Sequence, residues 1–333
     1  MTEERLELLG QVAVWYYEDN LDQNEIAERI GRSRSMVSRM LQEVRELNLV
    51  EFRVNFPLRR NAGLEEQLRI NFGLDQAWVL EHQQYHDQAS LLRILGKLGA
   101  RCLQSRLFDG VQIGIGWGSA VLEVVRAMPA LELQQAVVVQ LIGSVSHGSL
   151  PVDGSEVTRA LAQKLSASYR FLPAPLIVNS DEAAETLLQQ RAIKETLSAG
   201  RTVDVALIGI GSTEPELSTL MKAGYISDQD LKDLKSGGAV GDVLSTHLDA
   251  DGKPLYLLPN HRVIGLDVEG LHSVPSVIGV AASSSKAPAI LAALQGQYVN
   301  VLVTDSQTAT GIIDLHHKRF RRMMPTGKNG VTA

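Results

Sequence analysis

The chain has 333 residues, 44% of them hydrophobic, and a formal charge of −6 from 32 basic and 38 acidic side chains. This is enough apolar material for a small domain plus a large one, and an acidic pI near 5.8 excludes diffuse nucleic-acid binding over the whole surface. No run approaches about eighteen apolar residues, MTEERLELLGQ is unlike a signal peptide, and the single Cys102 excludes an intrachain disulfide or a cysteine metal cluster, so a cytoplasmic protein without membrane contact, metal or other cofactor is expected.

The first predicted element is a helix over 2–18, with Leu6, Leu9, Val12, Ala13 and Tyr16 at helical spacing. A short helix carrying Ile26, Ala27 and Ile30 follows, and Gly31 sits where a left-handed C-cap would end it. Ser33 or Ser35 can cap the next helix, whose Val37, Met40, Leu41, Val44 and Leu47 point inward. Its outward positions are rich in arginine, serine and glutamine, which can fork onto base edges and hold phosphates. From Arg29 to Leu41 the chain has four arginines and no acid, although acids precede this window. A solvated helix of no special purpose mixes its signs. The pattern predicts a helix-turn-helix that reads double-stranded DNA through Arg32, Arg34, Ser35, Ser38, Arg39 and Gln42, with a wing strand over 50–56. One such head makes few phosphate contacts, so a dimer or larger homo-oligomer is expected.

Residues 57–63 break the pattern and read as a linker. Beyond it the chain alternates: helix 64–72, strand 77–80, helix 91–107, strand 111–115, helix 119–128, strand 136–142, helix 154–168, strand 169–173, helix 181–199 and strand 203–208. A strand over 276–281, a helix over 286–295, a strand over 299–304 and a helix over 306–315 complete it. The fold class is therefore α/β: an N-terminal winged helix-turn-helix domain (1–56), then a doubly wound, Rossmann-like effector domain (64–317), with a solvated basic tail (318–333).

Four segments are predicted as strand-end loops that converge on one face. Gly114-Ile-Gly-Trp-Gly-Ser119 brings backbone and a helix start toward an anion, through Gly116, Trp117, Gly118 and Ser119. Gly209-Ile-Gly-Ser212 contributes Gly211 and Ser212, and Gly237–Asp242 leads from Asp242 to His247. Ser283-Ser-Ser-Lys286 places a lysine at a helix start, which is unfavourable against the helix dipole unless an anion is present. A phosphate suits the amides, hydroxyls and ammonium, and a carboxylate suits sugar hydroxyls. Each loop alone is equally at home as a structural turn. None is a dinucleotide fingerprint or a P-loop.

IAERIGRSRSMVSRMLQEVRE, GIGWGS, GIGS, VGD, the serine–lysine loop and LQGQYVNVLVTDSQTA together resemble the SorC family of bacterial transcription regulators, from about Leu6 to Leu315. The resemblance implies a sensor domain similar to sugar-phosphate isomerases and deaminases, a phosphorylated sugar-like effector, and tetramers on operator DNA. It places the phosphate on Gly116–Ser119, and the polar end of the effector on Asp242 and Lys286. Ala281–Ser285 departs from a usually glycine-rich loop, and Ala120 from a usual hydroxyl. The alternative is an active isomerase or deaminase with a DNA-binding head, using Asp242, His247 and Lys286. A regulator must release its effector unchanged, and no compact acid/base pair stands out, so no enzymatic activity is expected.

Overall fold

Three helices form the first unit, Met1–Pro57: α1 (Glu3–Tyr17), α2 (Gln23–Ile30) and α3 (Arg34–Glu46). The computed structural model describes residues 2–47, 49–50, 58–81, 87–145, 153–255, 257 and 260–323. Helix α2 starts at a reciprocal cap: the Asp22 carboxylate accepts from Asn24 and Glu25 N–H, while the Glu25 carboxylate accepts from Asp22 N–H. It ends on Gly31 with φ 62°, a conformation that disfavours any Cβ. Ser33 rather than Ser35 caps α3, its Oγ accepting from Met36 N–H at 3.3 Å. Leu9, Val12, Ile26, Val37, Met40 and Val44 close the core between the helices. Leu47 was expected inside, but α3 ends at Glu46 and Leu47 turns outward as its C-cap, 39% exposed. The wing strand expected over 50–56 lies outside the described residues except for Val50, which packs half-buried on this core.

The second unit, Leu58–Ala333, begins inside the segment expected to be a linker. Arg60 bridges Leu80, Asn61 N–H donates to Val79 O, and Asn61 caps α4 (Ala62–Phe72). Hydrogen bonding to the next strand, β1 (Gln76–Leu80), thus ties this stretch down. There follow α5 (Gln88–Gln104), β2 (Gln112–Ile115), α6 (Ser119–Ala127), β3 (Val137–Gln140), α7 (Gly154–Leu165) and β4 (Ser168–Arg170). The helix expected over 181–199 is two, α8 (Asp181–Leu188) and α9 (Arg191–Gly200), because Gln190 is extended (φ −65°, ψ 135°) and starts a new helix. The chain continues through β5 (Val205–Ser212), α10 (Thr219–Lys222), α11 (Asp228–Ser236), β6 (Gly241–Val243) and β7 (Thr246–Leu248). It closes with β8 (Ser276–Val280), α12 (Ala287–Gln295), β9 (Val301–Asp305) and α13 (Ser306–Met323). Lys318 to Met323, expected in a solvated tail, are helical; Arg319 is held by Ala250 O, Gln295 and Asp251.

Among the described residues the sheet runs β1-β9-β8-β5-β2-β3-β4, every neighbouring pair parallel, and β6 and β7 pair off the end of β5. Alternation assigns the faces: Val205 and Leu207 of β5 pack with α5, α6 and α7, whereas Ala206, Ile208 and Ile210 pack with α4, α12 and α13. Apolar burial on both faces explains why the strands read as continuous branched runs. Chain order steps outward from β2 to β3 and β4, then returns to the other side of β2 as β5 and proceeds to β8 and β9. The reversal between β2 and β5 opens a crevice at their carboxyl ends.

Candidate functional site

That crevice is a cleft of about 510 Å³, its open mouth included. From β2 it receives Trp117, Gly118, Ser119 and Ala120; from the end of β5, Gly209, Ile210 and Gly211. Thr219 and Leu220 of α10, Asp242, Leu244, Ser245, Val280 and Lys286 complete the lining. Gly118 has φ 120°, open to glycine alone, and it leads into α6 with no side-chain cap and no acid in the first turn. The amino end of α6 therefore meets the cleft with unsatisfied amides and the positive end of its dipole.

Gly209–Ser212, expected as a loop, is strand: β5 overshoots the parallel sheet and its overhang pairs antiparallel with β6. Asp242 and His247 likewise lie on the β6–β7 hairpin instead of in a loop. Gly211 stands directly opposite Asp242, and a Cβ on Gly211 would lie 1.8 Å from Asp242 Oδ1. The carboxylate thus rests on bare backbone. Burial pushes the Asp242 pKa up, opposed by the nearby charges of His247 and Lys286 and by the Ser245 N–H. Burial pushes the Lys286 pKa down, Asp242 opposes this, and the exposed Lys222 on α10 adds to it. Lys286 Nζ donates to Ile210 O at 2.7 Å, on the residue before the glycine that faces Asp242.

The structure brings Trp117, Gly118, Ser119, Gly211, Asp242 and Lys286 together. It does not bring Gly116, Ser212 or His247 into the lining. Gly116 is buried beneath the loop against Leu244 and Ile208, where a Cβ would be crowded. Ser212 Oγ turns away to accept from Glu214 N–H. His247 is buried beside Asp242 as its cross-strand partner. Asn260 Oδ1 accepts from His247 N–H at 2.9 Å and faces Nδ1 at 3.1 Å, while its amide donates to His247 O and Leu255 O. The amide orientation is thereby fixed, and Nδ1 carries the proton. Sequence reasoning missed Thr219, Leu220, Leu244, Ser245 and Val280, and named Ile210 only as part of the Gly209–Ser212 segment. Ser218, which caps α10, was a usable signal for the first helix at the mouth.

The loop carrying Lys286 is braced from two sides. Gln88 of α5 donates to Ala282 O at 3.0 Å, and Ser283 N–H donates to Thr308 Oγ1 at 3.0 Å. The Asp305 carboxylate in turn accepts from the Thr308 hydroxyl and from Gln307 and Thr308 N–H.

In the first unit, Arg32 is exposed in the turn, and Arg34, Ser35, Ser38, Arg39 and Gln42 are exposed on α3. Ser35 Oγ meets Ser33 Oγ, and Gln42 donates to Glu46 on its own helix. Arg29 packs over Trp15 and Arg45 donates to Tyr17, which leaves Arg32, Arg34 and Arg39 without an ion-pair partner among the described residues. Met36, not singled out by sequence, stands 39% exposed in the first turn of α3.

Residues 57–314 match the family model of a sugar-binding domain. The chain is 33% identical over 312 residues to the transcriptional regulator LsrR of Klebsiella pneumoniae subsp. pneumoniae, covering 93% of each chain. It is 30% identical to the deoxyribonucleoside regulator of Bacillus subtilis, covering 94% of this chain and 99% of that one. The full-length sorbitol operon regulator SorC from Klebsiella pneumoniae superposes with a TM-score of 0.69 at 29% identity, over 93% of this chain and 100% of that one.

Proposed function

Because the chain belongs to the SorC family of transcription regulators, we propose that it controls a carbohydrate or polyol catabolic operon in response to a small phosphorylated, sugar-like effector. The observation that carries this reading is the uncapped amino end of α6 opening on the same cleft as Asp242 and Lys286. A phosphate on the Trp117–Ala120 amides gains the helix dipole without an acid to repel it. Lys286 supplies the positive charge that burying an anion requires; burial lowers its pKa, and a bound anion would oppose that shift as Asp242 does. Asp242, seated on Gly211, accepts from sugar hydroxyls.

Operator DNA is read in this account by Arg32, Arg34, Ser35, Ser38, Arg39 and Gln42, and the protein acts as a dimer or tetramer so that several heads bind at once. In this reading the cleft binds and releases without chemistry: one of the three Lys286 Nζ donors is held by Ile210 O and the others remain for the ligand, while His247 sits behind Asp242 outside the lining. The test is operator release against effector concentration for wild type and Lys286→Ala. The variant should bind operator as wild type does and fail to release it; coincident release curves would overturn the site.

A further inference from the structure

The cleft wall contains a turn that few side chains tolerate. Val243 pairs with Thr246 across β6–β7, so Leu244 and Ser245 form a two-residue hairpin loop. Both are left-handed, at φ 48° and 61°. Loops of this kind favour Asn-Gly or Asp-Gly because a Cβ is strained there. Backbone strain of this sort persists where the surroundings hold it and concentrates at ligand clamps.

Ser245 is buried and lines the cleft. Its Oγ accepts from Trp117 Nε1–H at 3.3 Å, and its backbone lies in the loop of the same hairpin that carries Asp242. Trp117 directly precedes Gly118, the residue that opens α6. One residue therefore joins the anion-binding turn, 128 positions earlier in the chain, to the hairpin that carries the Asp242 carboxylate. A glycine here would make the same hairpin without strain but could not hold the indole. Since the hydroxyl accepts from Trp117, its own proton is left to donate to a ligand oxygen between the two ends.

We propose that Ser245 is a positioning and specificity-determining residue, which fixes the phosphate end of the cleft relative to its hydroxyl-binding end and so selects ligands that present both groups over phosphate alone. The inference rests on the sugar-phosphate reading of the cleft. It separates binding from stability in a way that a purely structural serine does not.

The experiment uses the full chain as wild type, Ser245→Gly and Ser245→Ala, with ribose 5-phosphate, glucose 6-phosphate, fructose 6-phosphate and inorganic phosphate as probes. Thermal unfolding and equilibrium titration are measured on each. Wild type should bind at least one sugar phosphate more tightly than inorganic phosphate. Ser245→Gly should lose about tenfold in affinity for that sugar phosphate through the missing hydrogen bonds and keep its affinity for inorganic phosphate. Ser245→Ala keeps the strain, so it should unfold earlier than Ser245→Gly and lose the same affinity. Ser245→Gly binding every probe as wild type does, or losing sugar phosphate and phosphate alike, overturns the inference and leaves the cleft assignment intact. Wild type failing to bind any probe, or binding phosphate as tightly as the sugar phosphates, refutes the sugar-phosphate reading, and the inference falls with it.

Discussion

Gly211→Ala perturbs the cleft at its tightest contact. The added methyl would lie 1.8 Å from Oδ1, 2.5 Å from Cγ and 2.7 Å from Oδ2 of Asp242. The clash falls on the far end of a short side chain, so the carboxylate can rotate aside at a cost of about 0.5–1.5 kcal/mol, and the fold should survive. A displaced carboxylate cannot accept from the hydroxyls of a ligand. A charged hydrogen bond is worth about 1.5–3 kcal/mol, so losing two costs about 3 kcal/mol or more, roughly a hundredfold in dissociation constant. Calorimetric titration with whichever sugar phosphate releases wild type from its operator measures this directly. Gly211→Ala acts only through Asp242 in this account, so the double variant with Asp242→Ala should bind no worse than Asp242→Ala alone. Unchanged affinity in Gly211→Ala, or losses that add in the double variant, would refute the account in which bare Gly211 seats the carboxylate for the ligand.

Arg34→Ala and Arg39→Ala should each weaken operator binding by about 1–3 kcal/mol per head while thermal unfolding stays at the wild-type temperature, since both side chains are exposed; gel shifts at fixed salt check it, and unchanged binding by the double variant refutes the recognition-helix assignment. The Cys102 thiol, buried and pushed up to about 11 from 9.0, should react with a thiol reagent at pH 8 on unfolding and hardly at all before it, because the shift alone leaves about 100-fold less thiolate in the native chain. Its titration also favours the folded form at low pH: the native state holds the proton more tightly, so stability falls as pH rises from 9 toward 11.

Elements with one strong period were legible from sequence. The helix pattern of Val37, Met40, Leu41 and Val44 matches one buried helix face, and the branched run of Val203–Ile208 matches a strand buried on both faces of the sheet. The cleft residues drawn from strand-to-helix turns, Trp117 to Ser119 and Lys286, were legible because a helix start advertises free amides. The hairpin was not. Val243-Leu-Ser-Thr246 has none of the Asn-Gly or Asp-Gly chemistry that marks a two-residue turn, so Asp242 and His247 read as loop and Ser245 went unnoticed. His247 was drawn into the ligand set by proximity in sequence, whereas cross-strand pairing sets it behind Asp242, where Asn260 engages its ring. The break at Gln190 was hidden because nothing in Gln189-Gln190 disfavours a helix locally; it becomes visible only where Gln190 turns extended.

The bracing of the lysine loop has a thermodynamic consequence. With Ala282 O held by Gln88 and Ser283 N–H by Thr308, which Asp305 anchors in turn, the segment before Lys286 has little freedom left to surrender when a ligand arrives. The entropy lost on binding then falls mainly on the ligand's own rotors. A closed-ring sugar should accordingly outcompete its open-chain polyol counterpart even where both present the same hydroxyls, because the ring arrives with those torsions already frozen.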